Sequence, residues 1–153
     1  MRRYLILIMV TLLLVPVGSR DALAFGSDSE PPAPSLVQVK RHLKKGRYAE
    51  ALEILNKLAE TDPDNPDVFN YLGFASRKLG RYPEAHTHYG RALALDPMHR
   101  GANEYLGELH LLENNPDLAE ARLEALRAAC PTGCEERGDL ERDIRTYRRK
   151  HRE

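Results

Sequence analysis

Apolar residues recur along most of the chain with a helical period. Leu36, Val39 and Leu43 share one face, as do Ala51, Leu55 and Leu58, because positions three and four apart stack on the same side of a helix. Between such stretches stands a polar segment, Lys44-x-Gly46-Arg47-Tyr48-x-Glu50-Ala51. It returns one period later as Lys78-x-Gly80-Arg81-Tyr82-x-Glu84-Ala85. Asp62-Pro63 and Asp96-Pro97 keep the same interval, and Pro131 continues it. A period of about 34 residues with a turn at its middle predicts stacked helix–turn–helix units. The expected units are about 32–65, 66–99 and 100–133.

The punctuation has local physical reasons. Gly46 and Gly80 stand where the first helix of a pair must stop, and glycine takes the left-handed conformation there without a steric penalty; Asn114 is the next most tolerant residue at the third such place. Ser35 is placed to cap the first helix, and Asn115 to cap the one that Pro116 begins. Pro83 falls in the first turn of its helix, where a missing N–H is harmless. Gly73 and Gly107 let another helix pack close, and Ala51, Ala85 and Ala119 do the same on the second helices. The Asp-Pro pairs end those helices and turn the chain into the next pair. A last helix over about 135–150 carries Leu140, Ile144 and Tyr147 on one face and charges elsewhere; it is expected to cap the array, which needs a polar outer side.

This pattern resembles the tetratricopeptide repeat. The middle unit carries the likeness best, with Phe69, Tyr71, Leu72, Gly73, Tyr82, Ala85, Tyr89, Ala92 and Pro97; the third has Tyr105, Leu106, Gly107, Ala119, Leu123 and Pro131. The first is degenerate in its opening helix, where Gln38-Val39 stand in place of Leu-Gly, but recovers with Tyr48, Ala51, Leu55, Leu58 and Pro63. The resemblance implies an all-α fold: a right-handed α-solenoid of three repeats over residues 35–133, plus a C-terminal capping helix and tail over 134–153, seven helices in all. It also implies a concave groove lined by the first helix of each pair, holding a peptide or protein partner.

Alignment to that family places Leu36, Lys40 and Lys44, then Asn70, Phe74, Arg77 and Lys78, then Glu104, Glu108 and Leu111 on the groove's open side. The groove is expected to be basic at one end, apolar in the middle and acidic at the other, with Phe74 as an anchor for an apolar side chain. Family members that clamp a peptide's C-terminal carboxylate use Lys, Asn and Arg. Lys44, Asn70 and Arg77 fit that in part, but Glu104 and Glu108 stand where further cations are needed, so the clamp is not carried over.

The start of the chain changes where this module is expected to work. Arg2 and Arg3 precede Leu5–Val17, an apolar run broken only by Thr11 and Pro16, and Ala22-Leu23-Ala24 offers small residues at a cleavage site. Residues 1–24 thus read as an export signal cleaved before Phe25, with the periplasm or exterior as destination. As a helix the run rises only about 20 Å against roughly 30 Å of hydrocarbon core, so a retained span is the weaker reading. Phe25 to Pro34 reads as a disordered lead-in.

The 153 residues carry a formal net charge of zero with charged residues at 30% and aromatic residues at 7%, which argues against nucleic acid as a partner. Export would put the only two cysteines, Cys130 and Cys134, in an oxidising compartment, where a structural disulfide is the leading expectation. Two free thiols and a redox-active pair are the alternatives, the latter lacking the x-x spacing. Two thiolates make only half of a tetrahedral metal set. The six histidines are scattered and read as packed or half-exposed, His42 and His110 occupying the same repeat position two periods apart. There is no phosphate loop, Gly-x-Ser-x-Gly or His-Glu-x-x-His, so no catalytic residue, metal or cofactor is assigned. The arginine-rich end is read as a soluble cap rather than a contact for anionic lipid or wall polymer. The function expected is a non-enzymatic adaptor or assembly factor of the cell envelope. A self-associating structural module and a thiol-redox helper using Cys130 and Cys134 are the alternatives.

Overall fold

The computed structural model of the chain describes residues 33–151; the expected export signal and nearly all of the lead-in lie outside them. Among the described residues seven helices follow one another: α1 (Leu36–Lys44), α2 (Tyr48–Thr61), α3 (Pro66–Lys78), α4 (Tyr82–Leu95), α5 (Arg100–Leu112), α6 (Pro116–Ala129) and α7 (Glu135–Lys150). No strand occurs among the described residues. The fold is an α-solenoid in which α2, α4 and α6, starting at Tyr48, Tyr82 and Pro116, keep the spacing of the sequence repeat.

The helix ends fall where the sequence places them, for the reasons given. Gly46, Gly80 and Asn114 adopt φ of 70°, 75° and 58°, the left-handed region that halts α1, α3 and α5. Asp62 and Asp96 terminate α2 and α4 immediately before their prolines. The Ser35 side chain accepts from the Gln38 backbone N–H, and the Gln38 side chain accepts from the Ser35 N–H, a reciprocal box that satisfies two free donors. Asn115 departs from expectation: it occupies the N-cap of α6, but its side chain makes no capping hydrogen bond among the described residues. His99 supplies a cap that the sequence reading lacks. Its Nδ1 accepts from Ala102 N–H at 3.1 Å, capping α5, while its Nε2 reaches Asp67 Oδ1 at 3.1 Å. One imidazole thereby ties the start of α5 to the first turn of α3.

The core is three clusters, each formed where the second helix of one pair packs against the first helix of the next or against the cap. Val39, Ala51, Leu55, Val68 and Leu72 form the first; Ala85, Tyr89, Ala92, Ala102, Leu106 and Leu109 the second; Ala119, Leu123, Leu126, Leu140 and Ile144 the third. Each fully buried Leu contributes about 1.5–3 kcal/mol relative to exposure. The small residues explain the close fit. A Cβ on Gly73 would lie 2.6 Å from the Tyr89 ring, and one on Gly107 would lie 2.6 Å from Leu140 Cδ2. The cap is therefore seated as a further first helix: α7 lays Leu140 and Ile144 on α5 and α6, while Tyr147 stays half-buried with its hydroxyl 3.4 Å from Asn114 Oδ1.

Candidate functional site

Helices α1, α3 and α5 lie side by side and offer one face. A hollow of about 240 Å³ there is lined by Lys40, Leu43, Lys44, Tyr71, Phe74 and Tyr105. Its floor is aromatic: the Phe74 ring lies 4.9 Å from that of Tyr105 and 6.3 Å from that of Tyr48, centroid to centroid, in tilted and edge-on arrangements that suit ring quadrupoles. Cations sit over these rings. Lys78 Nζ is 5.3 Å from the Phe74 centroid, Lys40 Nζ 5.7 Å from that of Tyr71, and the Arg77 guanidinium 5.5 and 5.6 Å from Phe74 and Tyr105. Tyr71 and Tyr105 belong to the repeat signature, and sequence reasoning missed them as lining. The signal is present: Tyr71 precedes Phe74 by three positions, so the two share a helix face, and Tyr105 repeats Tyr71 one period later.

The residues expected on the open side divide into two sets. Lys40, Lys44 and Lys78 are exposed, and Phe74 and Glu108 are half-buried. Asn70, Arg77 and Glu104 are instead buried, at 4%, 8% and 7% exposure, and this corrects their placement as outward groove positions. Helix α5 packs against Asn70 and Arg77. Arg77 Nη2 meets Glu108 Oε2 at 2.7 Å, pairing α3 with α5. Leu36 and Leu111 also turn largely to the core, against the first and third clusters.

Toward α7 the face becomes acidic. A second hollow of about 440 Å³ includes Asp67, Asn70, Asp96, His99, Glu104 and Glu136 in its lining. Burial first, then the charges of Glu108, Asp139 and Glu136, push the Glu104 carboxyl up to about 8, with Arg77 acting the other way. Burial also raises Glu108, opposed by its Arg77 partner. Partial burial first, then the neighbouring Glu104, pushes the Tyr105 hydroxyl up to about 12. Asn70 Oδ1 is buried without a hydrogen-bond partner among the described residues. Of the expected run from basic through apolar to acidic, the exposed lysines stand on the rim, whereas Glu104 is buried and Glu108 is paired with Arg77.

Away from this face, α4 and the end of α5 bring together residues that the sequence leaves unrelated. His86 Nε2 lies 2.8 Å from Glu113 Oε2, and the His86 and His110 rings stand 5.4 Å apart. At the start of α7, the Cys130 and Cys134 sulfurs are 2.05 Å apart, with their Cα atoms separated by 6.0 Å. No described helix is long and apolar enough to cross a membrane.

Comparison with known proteins agrees with this architecture. Two family models, each described as tetratricopeptide repeat, match residues 42–87 and 75–133. Among curated proteins, the chain is 31% identical over 116 residues to the probable biofilm formation methyltransferase WspC of Pseudomonas putida, covering 76% of this chain and 27% of that protein. It is 30% identical over 90 residues to the BBSome complex member BBS4 of Bos taurus, covering 59% and 17%. The chain therefore spans about a quarter or less of the length of these relatives. Among solved structures, the Yersinia enterocolitica type III secretion translocator chaperone SycD superposes with a TM-score of 0.67 at 17% identity, covering 76% of this chain and 91% of that one. The first repeat domain of Spaghetti (RPAP3), bound to the HSP90 peptide SRMEEVD, gives 0.63 at 21% identity, covering 72% and 87%. PcrH, in complex with the chaperone-binding region of PopD, gives 0.64 at 19% identity, covering 76% and 90%. With its described helices stepping at the repeat interval and both models falling on them, the chain belongs to the tetratricopeptide-repeat family.

Proposed function

We propose that the chain is a non-enzymatic adaptor that holds an extended segment of a protein partner across α1, α3 and α5. The observation that carries this reading is the hollow with its floor of Tyr71, Phe74 and Tyr105 and its rim of Lys40 and Lys44. Such a site takes an apolar or aromatic side chain into the floor, where desolvated aromatic contacts supply most binding energy. The lysines then favour acidic residues beside that anchor. Two structural neighbours, RPAP3 and PcrH, are bound to a peptide or a chaperone-binding region, which supports the same use of the fold here. The likeness to WspC covers only 27% of that protein and is no ground for methyl transfer here.

The proposal extends to place. Residues 1–24 direct export, the mature chain works in the periplasm or cell envelope, and Cys130 and Cys134 are bridged there, fastening the entry to α7. A photoreactive phenylalanine analogue at position 74 tests the groove. It is expected to crosslink one partner in the intact envelope, and Lys40→Glu with Lys44→Glu is expected to abolish that crosslink while the helical circular dichroism stays unchanged. A crosslink indifferent to both reversals overturns the reading. Sequencing the N-terminus of the exported form tests cleavage before Phe25, and a thiol count under non-reducing conditions tests the bridge.

A further inference from the structure

We propose that His86, His110 and Glu113 form a binding site for a divalent transition-metal ion of the zinc class. Each of the three offers one ligand atom, and these atoms all lie within 4.8 Å of one another. Zn–N and Zn–O bonds of about 2.0–2.1 Å at tetrahedral angles place donor atoms about 3.4 Å apart. The 2.8 Å His86–Glu113 contact would open slightly and the widest pair would close. These are side-chain movements, and the His86 and Glu113 side chains, 35% and 28% exposed, have room to make them. Two imidazole nitrogens and one carboxylate oxygen suit zinc, nickel or copper, whereas calcium and magnesium take oxygen ligands alone.

The surroundings favour ligation over a plain hydrogen bond. Nδ1 of His110 is buried with no hydrogen-bond partner among the described residues, so the packing leaves that ring a polar demand unmet. His42, at the equivalent position of the first unit, provides a contrast: its Nδ1 is likewise buried, but Lys45 stands where the third unit has Glu113. The cluster also has a structural consequence. His86 belongs to α4 while His110 and Glu113 close α5, so one ion would clasp the second unit to the third. Three protein ligands leave a fourth position toward solvent for water or a donor from another molecule.

The test uses the full chain without a polyhistidine tag, stripped with a chelator and then titrated with ZnCl2 by calorimetry and by thermal melting. Co2+ serves as a visible-spectrum probe of tetrahedral nitrogen and oxygen ligation. One Zn2+ per chain and a raised Tm are expected, with no shift from MgCl2 or CaCl2. His86→Gln and Glu113→Gln, both at partly exposed positions that tolerate change, should each weaken zinc binding about tenfold or more and cancel the Tm shift. His88→Gln, on the same helix but outside the cluster, should change neither. Absence of saturable uptake at one ion per chain overturns the proposal. So does uptake indifferent to His86→Gln and Glu113→Gln, or uptake lost only when Cys130 and Cys134 are both changed to Ser.

Discussion

Glycine at position 73 separates two effects of opposite sign. Alanine is intrinsically better than glycine inside a helix by about 0.5–1 kcal/mol. At Gly73 the added Cβ would sit 2.6 Å from Cδ1 and Cε1 of Tyr89 and 2.9 Å from its Cγ. That ring is fully buried, so it cannot simply swing aside. Overpacking of this kind costs about 1–3 kcal/mol, which leaves Gly73→Ala less stable than the parent by up to about 2.5 kcal/mol after the helix gain. Gly90 is the matched control: it lies inside α4, and its Cβ would meet nothing within 4 Å. Gly90→Ala should therefore stabilise by about 0.5–1 kcal/mol. Urea denaturation followed by circular dichroism reads both, with a lower midpoint for the first variant and a higher one for the second at equal slope. If Gly73→Ala raises the midpoint as Gly90→Ala does, the close approach of α3 to α4 at Tyr89 is refuted.

Three further outcomes are expected. Gly80→Val should lower stability by about 1 kcal/mol or more, because a β-branched residue resists the observed φ of 75°; an unchanged melting curve refutes the turn assignment. The Glu104 carboxyl titrates higher in the folded chain than in the unfolded one, so its contribution is fully present at acid pH and is lost as pH rises from about 4.5 through about 8. Glu104→Gln should flatten that part of the stability–pH curve, and an equally steep decline in the variant counts against burial as the cause. Deleting residues 135–153 removes the helix that covers Leu123 and Leu126, so the product should aggregate on light scattering; a soluble product of equal stability refutes the capping role.

The helix boundaries were legible because they depend on local chemistry repeated at a fixed interval. Gly46, Gly80 and Asn114 each take the one conformation that ordinary side chains avoid, and the Asp-Pro pairs stop a helix wherever they fall. Burial along the groove was less legible. Asn70, Arg77 and Glu104 lie on the correct side of their helices, but how far the adjacent first helix covers them depends on interhelical packing, which no single repeat encodes. Arg77 meets its partner Glu108 only once α3 and α5 are stacked. The His86–His110–Glu113 cluster was hidden for a related reason. Its members belong to different units, and only the packing of a second helix beside the next first helix brings them together.

Any occupant of the α1–α3–α5 face meets two kinds of charge. Lys40, Lys44 and Lys78 stand in water, where about 0.15 M salt shortens the reach of a charge to about 8 Å. Arg77 and Glu108 face each other largely out of solvent, where dissolved ions screen far less. Raising ionic strength should therefore slow capture by the rim while leaving the seat beneath it unaltered. Encounter and retention on this surface can thus be separated by concentration of a simple electrolyte, with no residue changed.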